Sequence, residues 1–177
     1  MKIENLIHNL LNEVKKDGEQ RLENGVWLVR PAPEIAPKAW THIVYPPLSE
    51  SDINDLELQL SFRFPSQIRN FFLHFNGASF FGSQLTLWGK RSSYSRQGIS
   101  SWQPFDIVSH NAPSERPPGS PYSIVYFGST ECGDKRLFVS KDGVIGKSPT
   151  RVFRSEVSWP DFESFFQSQF VMLREKP

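Results

Sequence analysis

Side chains able to carry covalent or acid-base chemistry are few in this chain and do not converge. Its one cysteine, Cys132, stands in Ser129-Thr-Glu-Cys-Gly-Asp134, and the histidines at 8, 42, 74 and 110 are scattered. A thiolate nucleophile needs a base held against it, and no cysteine-histidine catalytic motif surrounds Cys132. A cysteine before glycine reads as a turn residue. Zinc and calcium sites need clustered ligands such as Cys-x-x-Cys, His-Glu-x-x-His or an acidic loop, and none occurs. Glu131 and Asp134 could exchange protons as a carboxylate pair. Beside Lys135 and Arg136 they read more simply as a solvated ion cluster. Gly128-Ser-Thr-Glu-Cys-Gly133 lacks the lysine of a phosphate-binding loop. The sequence therefore predicts no catalytic residue, no metal and no cofactor.

Recognition chemistry is better represented. Trp88, Lys90, Arg91, Tyr94, Arg96 and Trp102 interleave basic and aromatic side chains over a short stretch. Such a set could stack bases and contact phosphates, or supply the Trp, Tyr and Arg anchors of a protein interface. An alternative reading places Trp88 in the core and leaves the rest as an ordinary surface loop. The charge distribution bears on the choice. Residues 1–60 carry 6 Lys/Arg against 10 Asp/Glu, 61–154 carry 12 against 5, and 155–177 carry 2 against 4. The middle is basic, but a net charge of +1 without a nucleic-acid-binding motif gives little counterion-release affinity. Nucleic acid is not the expected partner.

Elements must position these groups. Ile3, Leu6, Ile7, Leu10, Leu11 and Val14 share one helical stripe that Gly18 would stop. Gly25–Arg30 and His42–Tyr45 read as strands around a proline-rich stretch, so residues 1–47 are expected to pack as an extension on a core at 48–177. Ser49 and Asp52 form a capping box, with Leu48 and Ile53 as its staple. Pro65 suits the first position of a helix whose Ile68, Phe71, Phe72 and Phe75 share a face and whose end is set by Gly77. Strands are expected at Gln84–Trp88, Phe105–Val108, Tyr122–Phe127, Arg136–Val139 and Arg151–Phe153, with a two-residue hairpin turn around Asp142-Gly143. Lys90–Gln103 and Ser109–Pro121 are polar loops. A second Ser-x-x-Asp start at Ser158 opens a helix bearing Phe162, Phe165, Phe166 and Phe170. Helices, then strands, then a helix give an α+β fold with a largely antiparallel sheet. No apolar run is long enough for a membrane span, and a lone cysteine with no signal peptide predicts a reducing cytoplasm.

Three stretches resemble the SUKH superfamily, which includes bacterial immunity proteins and a yeast regulator of cell-wall synthesis. They are Leu48-Ser-Glu-Ser-Asp-Ile-Asn-Asp-Leu-Glu57, the pattern Pro65, Ile68, Phe71, Phe72, Asn76 and Gly77, and Ser158-Trp-Pro-Asp-Phe-Glu-Ser-Phe-Phe166. Phe64 stands where the family usually has leucine and Ile68 where tyrosine is frequent. The resemblance implies a single SUKH-like domain, non-catalytic, that neutralises a cognate toxin, often a nuclease, by direct binding; a regulatory or adaptor protein of the same fold is the alternative. It carries over no toxin-contact residue, so specificity falls to the variable loops. As an assembly the chain is expected to be a monomer or weak homodimer.

Overall fold

Ile3, Ile7, Leu10 and Leu11 fall at helical spacing and all four are buried, which makes α1 (Ile3–Val14) an amphipathic helix laid on the core. The computed structural model describes residues 3–175. After α1 come β1 (Glu19–Arg21), β2 (Trp27–Pro31) and β3 (Trp40–Val44), then the helices α2 (Glu50–Leu60) and α3 (Ser66–Phe72). The chain continues through β4 (Ala78–Phe80), β5 (Leu85–Leu87), the short helix α4 (Ile107–His110), β6 (Ile124–Thr130), β7 (Lys135–Ser140), β8 (Ile145–Pro149), β9 (Val157–Trp159) and α5 (Phe162–Arg174). Every strand pairs antiparallel with its successor, so the sheet is a nine-stranded meander in sequence order. The architecture is α+β, with residues 19–44 continuing the same sheet through the β3–β4 pairing.

One face of the sheet carries the helices. Phe71 of α3 meets Phe162 and Phe166 of α5 at 5.5 and 6.4 Å between ring centroids, while Phe80 and Phe127 of the sheet meet α5 from below at 5.4 Å each. These edge and tilted contacts suit the aromatic quadrupole. Each fully buried ring contributes about 1.5–3 kcal/mol by area, so this cluster is the principal source of fold stability. Arg174 of α5 pairs with Glu13 of α1 at 2.8 Å and closes the layer. His42 is sealed beneath it, near Phe80 and Phe81, and its Nδ1 has no hydrogen-bond partner. Burial, helped by Arg30, lowers the His42 pKa to about 4, so the ring is neutral at pH 7.

The opposite face is more polar, because strand side chains alternate. Thr86, Ser129, Arg136 and Ser148 lie in register across β5 to β8, alternating with Leu85, Leu87 and Leu137. Helix α4 and its flanking loops cover part of this face. Asn111 follows α4 and acts as a surrogate strand: its Oδ1 accepts from the Tyr126 amide at 2.9 Å and its Nδ2 donates to the Tyr126 carbonyl at 2.7 Å. These bonds satisfy the main chain at the register shift between Tyr126 and Gly128.

Several local expectations are corrected. Phe105–Val108 is not a strand: Asp106 makes one bridge to Gly89, then caps α4 by accepting from the Val108 and Ser109 amides. Its capping oxygen outweighs the apolar alternation. Arg151–Phe153 is a bend in which Phe153 packs against Phe138 in a tilted pair with centroids 5.4 Å apart, while β8 and β9 hold the pairing on either side. Helix α3 ends at Phe72 rather than at Gly77, and Pro65 precedes it as the N-cap. Asp161, not Ser158, caps α5 through the Ser164 amide, because Ser158 is in β9 paired with Gly146. Four residues, Lys141 to Val144, separate β7 from β8, and the Ser140 amide donates to the Val144 carbonyl. By contrast, the Ser49 and Asp52 capping box of α2 is present as expected.

Candidate functional site

The loop after β5 is held at its base by a residue of the α3–β4 connection. Asn76 donates from Nδ2 to the Lys90 carbonyl at 2.7 Å and accepts at Oδ1 from the Lys90 amide at 2.6 Å. The backbones come close enough that glycine is required on both sides. A Cβ on Gly89 would lie 2.3 Å from Asn76 Oδ1, and one on Gly77, whose φ is +85°, would lie 2.7 Å from the Leu87 carbonyl oxygen. The Asn-Gly pair is thus a clamp on the end of β5, beyond its part in leaving the helix.

The Lys90 side chain then ties the loop to α2. Its Nζ lies 2.7 Å from Asp52 and 3.5 Å from Asp55. The hydrogen bond from Lys90, followed by those from Ser49, holds the Asp52 pKa down to about 2. Within the loop, Gln103 Oε1 accepts from the amides of Ser92 and Ser93 at 2.8 and 3.0 Å. Arg91 donates to the Ser93 and Pro104 carbonyls, and its guanidinium sits 5.0 Å from the Tyr94 ring centroid. Tyr94 donates its hydroxyl to Asp106 at 2.7 Å. The loop has internal bonds at both ends and in its middle.

Between this loop and the body runs a cleft of about 400 Å3. Tyr45, Pro46, Leu48, Trp102 and Pro104 supply apolar and aromatic wall, and Asn76, Asp52 and Lys90 supply polar groups. Asn24 closes one end by donating to the Ile99 and Trp102 carbonyls at 3.2 and 3.4 Å. Burial pushes the Tyr45 phenol up to about 12, against a smaller opposing pull from Arg91. An aromatic-walled cleft with few convergent polar groups accepts flat or apolar side chains and orients them by their polar ends.

Of the interface residues expected from sequence, Lys90 and Trp102 line this cleft. Arg91 and Tyr94 stack on the adjoining loop, and Arg96 is exposed there. Trp88 is apart from them: it is 4% exposed, stacks on His110 with centroids 4.1 Å apart, and lines a different cleft. Among the signature positions, Ile68, Phe71 and Phe72 are buried, and Pro65 opens α3. Sequence reasoning missed Asn24, Tyr45 and Gln103. Tyr45 read only as the end of a strand before Pro46 and Pro47, and Asn24 and Gln103 act through main-chain contacts distant in sequence.

Of the catalytic candidates, Cys132 and His110 line one cleft, and the other histidines lie outside it. Cys132 is exposed, and its Sγ accepts from Gln84 Nε2 at 3.1 Å. The expected ion cluster around Glu131 is rearranged: Glu131 pairs with Lys147 on β8 at 3.0 Å, and Lys135 pairs with Glu156 at 2.9 Å. Among the described residues no group of three or more His, Cys, Asp and Glu could hold a metal ion, and no helix is long and apolar enough to cross a membrane. A sequence profile of the SMI1 / KNR4 family (SUKH-1) matches residues 47–168. No curated protein matches the chain.

Proposed function

With most of its length matched, the chain belongs to the SMI1 / KNR4 family (SUKH-1), and from that premise we propose that it is a non-catalytic binding protein that neutralises a cognate toxin in the cytoplasm by direct association. Residues 48–177 form the family domain in this reading, and 1–47 an extension packed on it. The contact surface is the loop from Lys90 to Gln103 with its cleft. The observation that carries the assignment is the bonding of that loop. The Asn76 clamp, the Lys90 ion pairs and the Gln103 bonds brace the loop that carries Tyr94 and Arg96 and whose Trp102 lines the cleft. Preorganisation of this kind lowers the ordering entropy lost on association, and Trp, Tyr and Arg are the side chains most enriched at interface hot spots.

The test is co-expression with toxin domains encoded by neighbouring genes. Restored growth together with a stoichiometric complex supports the proposal. Recovery of a host protein in native pull-downs, with no toxin bound or neutralised, replaces it with the regulatory reading.

A further inference from the structure

The second cleft, of about 290 Å3, opens on the sheet face opposite the phenylalanine layer. Its floor departs from what a buried sheet face normally carries. Thr86, Ser129 and Arg136 sit side by side on β5, β6 and β7, placing two hydroxyls and a guanidinium in one row. Thr86 is 5% exposed, and Ser129 and Arg136 are half-buried. Trp88, His110 and Phe105 form an aromatic wall, with Phe105 presenting an open face at 56% exposure.

Arg136 is the informative residue. One Nη1 donates to the His110 carbonyl at 3.1 Å, and the guanidinium lies 5.6 and 5.8 Å from the Trp88 and Tyr126 ring centroids. Those contacts fix its plane. Among the described residues it has no carboxylate within ion-pair distance, and its Nε and Nη2 have no hydrogen-bond acceptor. Arg116, the other half-buried arginine covering this face, differs: both its terminal nitrogens are taken up by the Asn111 side chain and the Pro121 and Ile124 carbonyls. A guanidinium held in place at one nitrogen and against two rings presents its free edge to the cleft, and that edge matches a carboxylate through two parallel bonds.

We propose that this cleft is a binding site for a small carboxylate on an apolar body. The two carboxylate oxygens accept from Nε and Nη2 of Arg136, the hydroxyls of Thr86 and Ser129 complete their coordination, and the apolar body lies against Phe105 and His110. The site is separate from the loop cleft assigned to a protein partner, and it stands whether or not a toxin is the partner.

Benzoate, benzamide and inorganic phosphate are the probes, titrated into the full chain at low salt. The readouts are calorimetry and the Arg136 Nε–H resonance. Benzoate is expected to bind and to move that resonance, benzamide not to bind, and phosphate, which can also accept two parallel bonds, to bind at least about tenfold more weakly because it has no apolar body to lie against Phe105 and His110. Arg136→Lys keeps the charge and loses the fork, and should weaken benzoate about tenfold or more. Thr86→Val and Ser129→Ala leave the guanidinium in place and should each weaken it severalfold, which keeps the test usable if Arg136 variants misfold. Equal binding of benzoate and benzamide, phosphate as tight as benzoate, no benzoate binding, or benzoate affinity unchanged in folded Arg136→Lys would each overturn the proposal.

Discussion

Asn76→Ala removes the clamp on the base of the loop and leaves the core untouched. It deletes a donor 2.7 Å from the Lys90 carbonyl and an acceptor 2.6 Å from the Lys90 amide. A typical hydrogen bond contributes about 0.5–1.5 kcal/mol net, and a main-chain group stranded without a partner costs about 1–3 kcal/mol. Both Lys90 groups are partly buried, so water recovers some of that cost, and we expect a loss of about 2–3 kcal/mol. Urea unfolding should show a lower midpoint with an unchanged slope, since no additional surface is exposed. Hydrogen exchange should show Lys90 and the loop amides losing protection while β6 and β7 keep theirs. Asn76→Asp separates the two bonds: it keeps the acceptor for the Lys90 amide and turns an oxygen toward the Lys90 carbonyl, so stability falls while that amide stays protected. A loss below about 0.5 kcal/mol in Asn76→Ala, with Lys90 exchange unchanged, would refute the clamp.

The buried His42 makes stability sensitive to mild acid. Its folded pKa is about 4 against an ordinary 6.5, so as pH falls the unfolded chain takes up the proton first. Stability is full above about pH 6.5 and declines toward pH 4, by up to about 3 kcal/mol; His42→Leu should flatten that part of a urea-midpoint profile relative to wild type. Asp52 is displaced in the same direction, from 3.8 to about 2, so its contribution is retained until pH falls below about 4; Asp52→Asn should lower the urea midpoint above pH 4 and flatten the profile below it. Asp161→Ala removes the acceptor of the Ser164 amide and should cost about 1 kcal/mol in thermal or urea unfolding, whereas Ser158→Ala should be near neutral. Phe71→Ala opens a cavity between α3 and α5 and should cost about 3–5 kcal/mol by the same measurement.

The fold was legible in sequence where local signals agreed with burial. The α1 stripe, the α2 capping box and the phenylalanine spacings of α3 and α5 each mark a helix that forms, although Asp161 rather than Ser158 caps α5 and α3 stops at Phe72. Strands were harder where the run is only three residues, as in β1, β4 and β9, because pairing partners rather than propensity define them. Phe105–Val108 misled because Asp106 satisfies the next amides locally, a bond that alternation of apolar residues does not reveal. At the loop site, the residue types in Lys90–Trp102 were visible. The cleft was not, since Tyr45, Asn76 and Asn24 reach it from three other parts of the chain. Trp88 looked like a member of the same set, but the pleat turns it under the sheet against His110.

The central claim is that the Lys90–Gln103 loop and its cleft bind a toxin. Its most direct test is the affinity of that toxin domain for wild type and for folded Trp102→Ala and Arg96→Glu variants. The account predicts a tight stoichiometric complex, weakened at least about thirtyfold by Trp102→Ala, as for a hot-spot residue contributing about 2 kcal/mol, and weakened further when Arg96→Glu is added. Full affinity in both variants would contradict the assigned surface, and no complex with any neighbouring toxin domain would contradict the function.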